Sequence, residues 1–345
     1  MTPIRAIIVG LGEHGCAVAR LALDAGIEVI AAVDPRWAGT TLTDVLGQAG
    51  ALEVRVSASI DDIVPILPAA DIALLAARVG LDGFIDIARS YAAHGLDVLT
   101  ISEFLFSRYD LDPKAVAELD EIATRYGVSI VATGIQDVCW VGLVVHASAA
   151  VRNLRSILVR QHHGVDGYPR EFFDELGIGA TPEGFAEAVA GLRTMPSVLG
   201  SVLPIIAGEL GHEMGRIERE FTPVLATEPL YSKTLDHTFG VGEIIGVREF
   251  ATLTSDNGFV LSADHSTTAR RPDVDATFEA ILDADPSITL GHEIVPGPDA
   301  VNATVINRIP DVLAAPPGYI QASSLPTPKY RHHLARPETA GIQSS

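Results

Sequence analysis

Cysteine is nearly absent from this 345-residue chain, with Cys16 and Cys139 its only two. Two thiols make no disulfide framework, and Cys16 falls inside a helical pattern as a buried thiol, so a reducing cytoplasm is the expected setting. Positive charge is scarce as well: 24 Lys and Arg stand against 44 Asp and Glu, a formal net charge of −20. That balance excludes nucleic acid as a partner, because phosphate binding needs clustered Lys and Arg. A negative field favours the approach of cationic amines, although solubility alone also explains it. Long apolar runs are missing too. The stretch Val198 to Gly208 contains Pro204 and two glycines and is too short for a bilayer, so no membrane partner is expected. A strand pattern begins within a few residues of Met1, which leaves no room for a signal peptide. Internal repeats and low-complexity tracts are absent.

What is present is apolar and regular. Hydrophobic residues make up 48% of the chain, enough for two domains with substantial cores. Strand and helix patterns alternate up to about Thr133, with short apolar strands at Ile4 to Val9, Val29 to Val33, Val54 to Val56, Ile72 to Leu75, Asp97 to Thr100 and Val128 to Ala132. Asp61 or Asp62 starts one intervening helix; Leu81 to Ala93 and Pro113 to Tyr126 are others. This order predicts an α/β domain of the Rossmann type, a doubly wound parallel sheet, over residues 1–145.

The pattern then changes. A long strand from Leu154 to Val165 leads into a loop-rich segment, and helices are predicted from Thr181-Pro182 to Ala190 and from Pro196 to Gly208. Strand-like runs recur at Glu243 to Thr254, Gly258 to Ala263 and Thr277 to Ala284. Residues 146–297 therefore read as a second, α+β domain with an open, mainly antiparallel sheet covered by helices on one face. A late helix within 298–318, helical from Val301 to Ile309, is expected to pack back onto the first domain. The tail, 328–345, reads as mobile.

The most informative motif is Gly10-Leu11-Gly12-Glu13-His14-Gly15, set between the first strand and the first helix. Gly10 allows the tight bend, Gly12 the approach of a pyrophosphate, and Gly15 close packing of helix on strand, so the turn binds NAD or NADP. Glu13 and His14 lie within it and count as cofactor-binding positions. The helix N-terminus adds free N–H groups and partial positive charge. Asp34 ends the second strand, where an acid takes the ribose hydroxyls, while Arg36 two residues on suits the 2′-phosphate of NADP. Both signals stand together, and either cofactor fits.

Glu103 is the catalytic candidate. It follows the strand Val98 to Ile101, at the carboxyl end where open parallel sheets bind ligands, and Phe104, Leu105 and Phe106 come next. Those neighbours predict apolar surroundings that raise its pKa towards a proton-transfer range; the alternative is a plain helix-end carboxylate. Thr133-Gly134-Ile135-Gln136-Asp137 ends the next strand in the same layer, followed by Trp140, which walls a pocket or plugs a domain junction.

Other chemistries find less support. His162-His163, His212-Glu213 and His292-Glu293 lack the second histidine of H-E-x-x-H, whose place is taken by Arg216 and Pro296 in the latter two, so no metal is predicted. Ser201, Ser255 and Ser266 lack a G-x-S-x-G elbow, and Asp264-His265-Ser266 is a local tripeptide at a strand end.

Taken together, these residues resemble the native amine dehydrogenases related to dihydrodipicolinate reductase and 2,4-diaminopentanoate dehydrogenase. The resemblance is carried by GLGEHG at Gly10 to Gly15, TISEF at Thr100 to Phe104, TGIQD at Thr133 to Asp137 with Trp140, and the late run from Pro298 through Asn307-Arg308-Ile309-Pro310 to Ala315-Pro316-Pro317-Gly318. It implies that Glu103 is the catalytic carboxylate, that Ile135, Trp140 and Tyr168 shape the substrate pocket, and that Thr304 is a polar residue of the late helix facing it. It also implies that residues 146–297 serve substrate binding and dimerisation, with a homodimer joined through their sheet, and reversible reductive amination of small ketones or aldehydes with ammonia, in a pocket between the domains. Where diaminopentanoate enzymes carry N-P-G-F, this chain has Ile135-Gln136-Asp137. A dehydrogenase for amino, diamino or hydroxy acids is the enzymatic rival and needs a carboxylate clamp, for which Arg160 and Arg193 are the candidates. A non-catalytic NAD(P)-binding sensor is the rival of another class, with no need of Glu103.

Overall fold

The computed structural model describes residues 2–47, 54–213, 215–272, 276–292, 298–331 and 334. The chain divides into two compact units, Met1–Val138 with Pro298–Ser345, and Cys139–Gly297.

In the first stretch, strands β1 (Arg5–Val9), β2 (Glu28–Val33), β3 (Val56–Ser57), β4 (Ile72–Leu75), β5 (Asp97–Thr100) and β6 (Ser129–Ala132) alternate with helices α1 (Glu13–Asp24), α2 (Leu42–Leu46), α3 (Leu81–Ala92) and α4 (Pro113–Tyr126). Short turns mark the chain direction chemically. Asp112 caps α4 by accepting the Lys114 N–H at 2.8 Å, with Pro113 in the first helical turn. The acids read as starting a helix after β3 start only one 3₁₀ turn, Ile60–Ile63, because Pro65 follows too closely.

The second unit begins with α5 (Leu143–Ser148) and β7 (Arg152–Gly164), continues through α6 (Arg170–Glu175), α7 (Pro182–Leu192) and α8 (Val202–Glu209), and then turns to strands: β8 (Ile217–Leu225), β9 (Leu230–Ser232), β10 (His237–Phe239), β11 (Ile244–Thr254), β12 (Val260–Thr268), β13 (Thr277–Asp285) and β14 (Ile288–His292). Thr181 caps α7 through the Gly184 N–H. The helix expected from Pro196 starts only at Val202, because Ser197 closes a separate turn on the Gly200 N–H at 2.7 Å. Six strands form one sheet in the order β14-β13-β7-β12-β11-β8. All its pairs are antiparallel except β7 with β12, which makes the sheet mixed. Its central residues alternate strictly: Ile157, Val159 and Gln161 are buried, while Ser156, Leu158 and Arg160 stand on the more open face.

The chain then returns to the first unit. Helix α9 (Pro298–Leu313) runs past Pro310, the stop signal, and β15 (Gly318–Ile320) adds a strand beside β6. The result is a seven-stranded, wholly parallel sheet ordered β15-β6-β5-β4-β1-β2-β3. Ala6 and Ile8 of β1 pack towards Val18 and Ala22 of α1 and Val305, Ile309 and Val312 of α9. Ile7 and Val9 belong to the opposite core, with Phe84 and Ala88 of α3 and Leu119 and Ile122 of α4. Both faces are thus covered, as a parallel sheet requires. In the stretch read as a mobile tail, Arg331 pairs with Asp311 at 2.8 Å and Leu334 is buried. Residues 332–333 and 335–345, together with Glu293 and Pro296, lie outside the described residues.

Asp97 opens β5 and accepts the Ser129 N–H at 2.7 Å, yet burial pushes its pKa up to about 6. A carboxyl raised in the folded state stabilises fully below its unfolded pKa and loses that contribution as pH rises through the folded value. Asp97→Asn keeps the acceptor without the charge. Thermal unfolding should show it more stable than wild type at pH 8, on the order of 3 kcal/mol, and indistinguishable near pH 3.

Candidate active site

The dinucleotide turn owes its shape to contacts that only glycine permits. Gly10 has φ +87°, and a Cβ there would stand 2.7 Å from the backbone of Ala77. A Cβ on Gly15 would stand 1.8 Å from the Gly10 carbonyl oxygen, so α1 seats directly on the turn. Gly12 differs: its Cβ would meet only Arg36 Nη2, at 3.9 Å. The chain itself leaves room there, so the fold alone does not require glycine at this position. Gly12 caps α1 without any side-chain bond, which leaves the first-turn N–H groups to face outward.

Asp34 completes the turn from β2. Its carboxylate accepts the Leu11 N–H at 2.7 Å and is clasped by Arg36 through Nε at 3.1 Å and Nη2 at 2.8 Å. Hydrogen bonding from Arg36 outweighs the cost of burial and holds its pKa down to about 2, so Asp34 is charged at any working pH. Arg36 is itself largely exposed, its side chain 68% accessible. Gly10, Gly12, Glu13, His14, Asp34 and Arg36 together line one cavity of about 880 Å³, within the range of cofactor sites. Gly15 stands behind it. His14 Nδ1 lies 2.8 Å from the Oδ1 of Asn302 on α9. An amide oxygen only accepts, so that ring nitrogen carries the hydrogen.

Arg78 lines the same cavity and was not singled out from the sequence. It follows β4, whose carboxyl end also faces the point where strand order reverses, and that position was the available signal. Among the described residues it has no ion pair or hydrogen bond, a free cation beside an anion-shaped turn.

Glu103 opens a 3₁₀ turn, Glu103–Leu105, three residues beyond β5. The Thr133 N–H donates to the Thr100 carbonyl at 2.9 Å, so Glu103 and Ile135 leave the sheet from adjoining strand ends. The expected apolar surroundings of Glu103 are not found. The tight turn sends Leu105 and Phe106 into the core, and Glu103 itself is exposed. Ile135 is buried. Thr304 is buried in α9, its hydroxyl donating to the Ala300 carbonyl at 2.8 Å.

Trp140 and Tyr168 belong to the second unit. Trp140 stacks on Phe278 with centroids 6.5 Å apart, and Tyr168 packs edge-on against His163 at 5.9 Å. Among the described residues, Trp140 Nε1 and Gln161 Oε1 are buried polar atoms without a hydrogen-bond partner. Burial, with His163 and His162 nearby, pushes His265 down to about 3, so its ring is neutral. Asp264-His265-Ser266 lies within β12, not at its end, and consecutive residues point to opposite faces, so the three cannot converge as a triad. Arg160 bridges Asp264 and Glu279, and Arg193 lies over the Phe221 ring, so both carboxylate-clamp candidates are engaged elsewhere. No described group of three or more His, Cys, Asp or Glu side chains has metal-binding geometry, and no described helix is long and apolar enough to cross a membrane.

Residues 140–338 match the model of the 2,4-diaminopentanoate dehydrogenase C-terminal domain. The whole chain is similar to 2,4-diaminopentanoate dehydrogenase of Acetoanaerobium sticklandii, 24% identical over 340 residues that cover 95% of both chains. In three dimensions it is similar to the amine dehydrogenase of Mycobacterium smegmatis, with a TM-score of 0.84, 27% identity and coverage of 96% of this chain and 98% of the other. A probable dehydrogenase from Thermotoga maritima shares the fold at a TM-score of 0.61 and 10% identity, over 92% and 91% of the two chains. The chain belongs to the 2,4-diaminopentanoate dehydrogenase family and is an NAD(P)-dependent oxidoreductase of the amine dehydrogenase class.

Proposed function

We propose that this enzyme interconverts small ketones or aldehydes and their amines, using ammonia and either NAD or NADP. The observation that carries the reading is Glu103, an exposed carboxylate just beyond the end of β5, in the unit that holds the dinucleotide turn. Gly10, Gly12 and the α1 N-terminus would hold the pyrophosphate, Asp34 the adenosine ribose, and Arg36 and Arg78 the added negative charge. Bound nicotinamide supplies or accepts the hydride at the substrate carbon. Ammonia and the carbonyl lose water to form an iminium, and Glu103 moves the protons of that condensation. In the amine-oxidising direction Glu103 takes a proton from the ammonium, and its charge favours the cationic carbon–nitrogen centre. Because it is exposed, it exchanges that proton with water directly.

Ile135, buried just beyond β6, favours a small, largely apolar carbonyl. Engagement of Arg160 and Arg193 speaks against an amino-acid or hydroxy-acid substrate held by its carboxylate at these residues. The clasp of Arg36 on Asp34 supports use of both cofactors. Asp34 would accept from the ribose diol of NAD, whereas in NADP, whose 2′-hydroxyl carries the phosphate, the exposed Arg36 would meet that phosphate. A homodimer through the six-stranded sheet is supported by its open face, where half-buried Leu158, Phe250 and Ile281 surround the Arg160–Asp264–Arg248 pairs. Two free cysteines accord with a cytoplasmic setting.

Sedimentation equilibrium of the full chain should give twice the chain mass, and a monomer at micromolar concentration would rule the dimer out. Gly12→Val should fold, since its Cβ meets only Arg36, yet lose NADH and NADPH binding in a fluorescence titration; retained affinity would refute the turn's role. Arg36→Ala should weaken NADPH by about tenfold or more, the worth of a charge-assisted hydrogen bond, and spare NADH. Glu103→Gln keeps shape without basicity, so ammonia-dependent turnover should fall about 10²–10⁴-fold while nucleotide affinity survives. Near-normal turnover in that variant would make Glu103 a structural carboxylate.

A further inference from the structure

The turn that carries Glu103 is held from outside. Within it, Leu105 N–H reaches the Ser102 carbonyl at 3.1 Å and Phe106 N–H the Glu103 carbonyl at 3.3 Å. Regular structure resumes only at Pro113. Two side chains from the return segment reach across. The Tyr319 hydroxyl, 214 residues later in sequence, donates to the Leu105 carbonyl at 2.7 Å. The Gln321 amide donates to the Phe106 carbonyl at 2.8 Å and accepts the Arg108 N–H at 3.2 Å, so one side chain brackets the end of the turn. Both residues are buried, 3% and 7% exposed.

The holder is itself fixed. Strand β15 pairs with β6, and the Tyr319 N–H donates to Asp120 at 3.1 Å. Next to Gln321, the Ala322 carbonyl accepts from Arg308 at 2.9 Å. Arg308 in turn grips Asp137 with two bonds of 2.8 Å, and Asp137 accepts the Thr133 hydroxyl at 2.8 Å. One connected set of bonds therefore sets both the Glu103 turn beyond β5 and the Ile135 turn beyond β6.

We propose that Gln321 and Tyr319 are positioning residues for the reaction: they set where the Glu103 carboxylate stands at the end of β5. The inference rests on the proton-transfer reading of Glu103 given above. Rates of this kind are sensitive to placement, and a displacement of about 1 Å costs on the order of 10²-fold.

The test compares Gln321→Met, which keeps length and removes both amide bonds, with Tyr319→Phe, which removes one oxygen and leaves the ring in the core. Each is made in the wild-type and Glu103→Gln backgrounds, and read by kcat, KM, NADPH affinity, the pH profile of kcat/KM and thermal unfolding. In the wild-type background kcat should fall roughly tenfold, NADPH affinity should stay within about twofold because the dinucleotide turn is untouched, and the limb of the pH profile due to Glu103 should move. In the Glu103→Gln background neither substitution should lower kcat further. Wild-type kcat and pH profile in both variants, beside an inactive Glu103→Gln, would overturn the positioning role alone. An equal loss in both backgrounds would overturn it too, as a general structural effect. Near-normal turnover in Glu103→Gln by itself would instead overturn the reading on which the proposal rests.

Discussion

The first unit depends on one buried ion pair. Arg308 and Asp137 are 1% and 2% exposed at their side chains, a placement whose desolvation cost is offset only by near-complete hydrogen bonding. Arg308 meets that condition. Its Nε and Nη2 engage Asp137 bidentately, Nη2 also reaches the Ala322 carbonyl, and Nη1 reaches that of Pro326. Removing one partner of such a pair typically costs about 3–5 kcal/mol, because the other charge is left buried alone. The geometry it secures is local, at the carboxyl ends of β5 and β6. Asp137 ends the turn that carries Ile135, and Ala322 begins the turn next to Gln321. A lysine would satisfy only part of this arrangement, since the planar fork of arginine is what reaches two carboxylate oxygens and two carbonyls together.

What could be read from the sequence was mainly what is local. The glycine turn, Asp34 and the six leading strands are specified within short windows, and a glycine fingerprint between strand and helix announces its own geometry. Glu103 was legible by its position after an apolar strand. Its surroundings were not, because three apolar neighbours in sequence do not reveal which way a 3₁₀ turn sends each side chain. Strand β8 is hidden in the sequence because Glu218, Arg219, Glu220 and Pro223 break its apolar alternation, and β9, β10 and β15 because three residues carry almost no period. Arg308 was visible only as one letter of Asn307-Arg308-Ile309-Pro310; its partner lies 171 residues away. Arg78 was missed for want of any motif around it.

The second unit manages charge differently. Around Asp264, Arg248 and Arg160 stand at 2.7 and 3.3 Å, and Arg160 continues to Glu279 at 2.9 Å, all on the more open face of the sheet. The guanidiniums there are roughly half exposed, so each pair is screened and worth little alone. Their value lies in matching positive to negative on a face whose apolar residues are only half covered, which leaves it compatible with water and with a second surface of the same kind.

The return of α9 and β15 to the first sheet has a consequence for synthesis. The first unit is interrupted in sequence by the whole of the second, so a ribosome makes residues 139–297 before it releases the strand that closes the sheet and the arginine that neutralises Asp137. At typical elongation rates of about 5–20 residues per second, that interval lasts on the order of tens of seconds. Throughout it the edge of β6 is bare and Asp137 lacks its counter-charge. Folding of the first unit is thereby tied to completion of the second, and a nascent chain stalled between them carries neither a finished sheet nor a settled Glu103 turn.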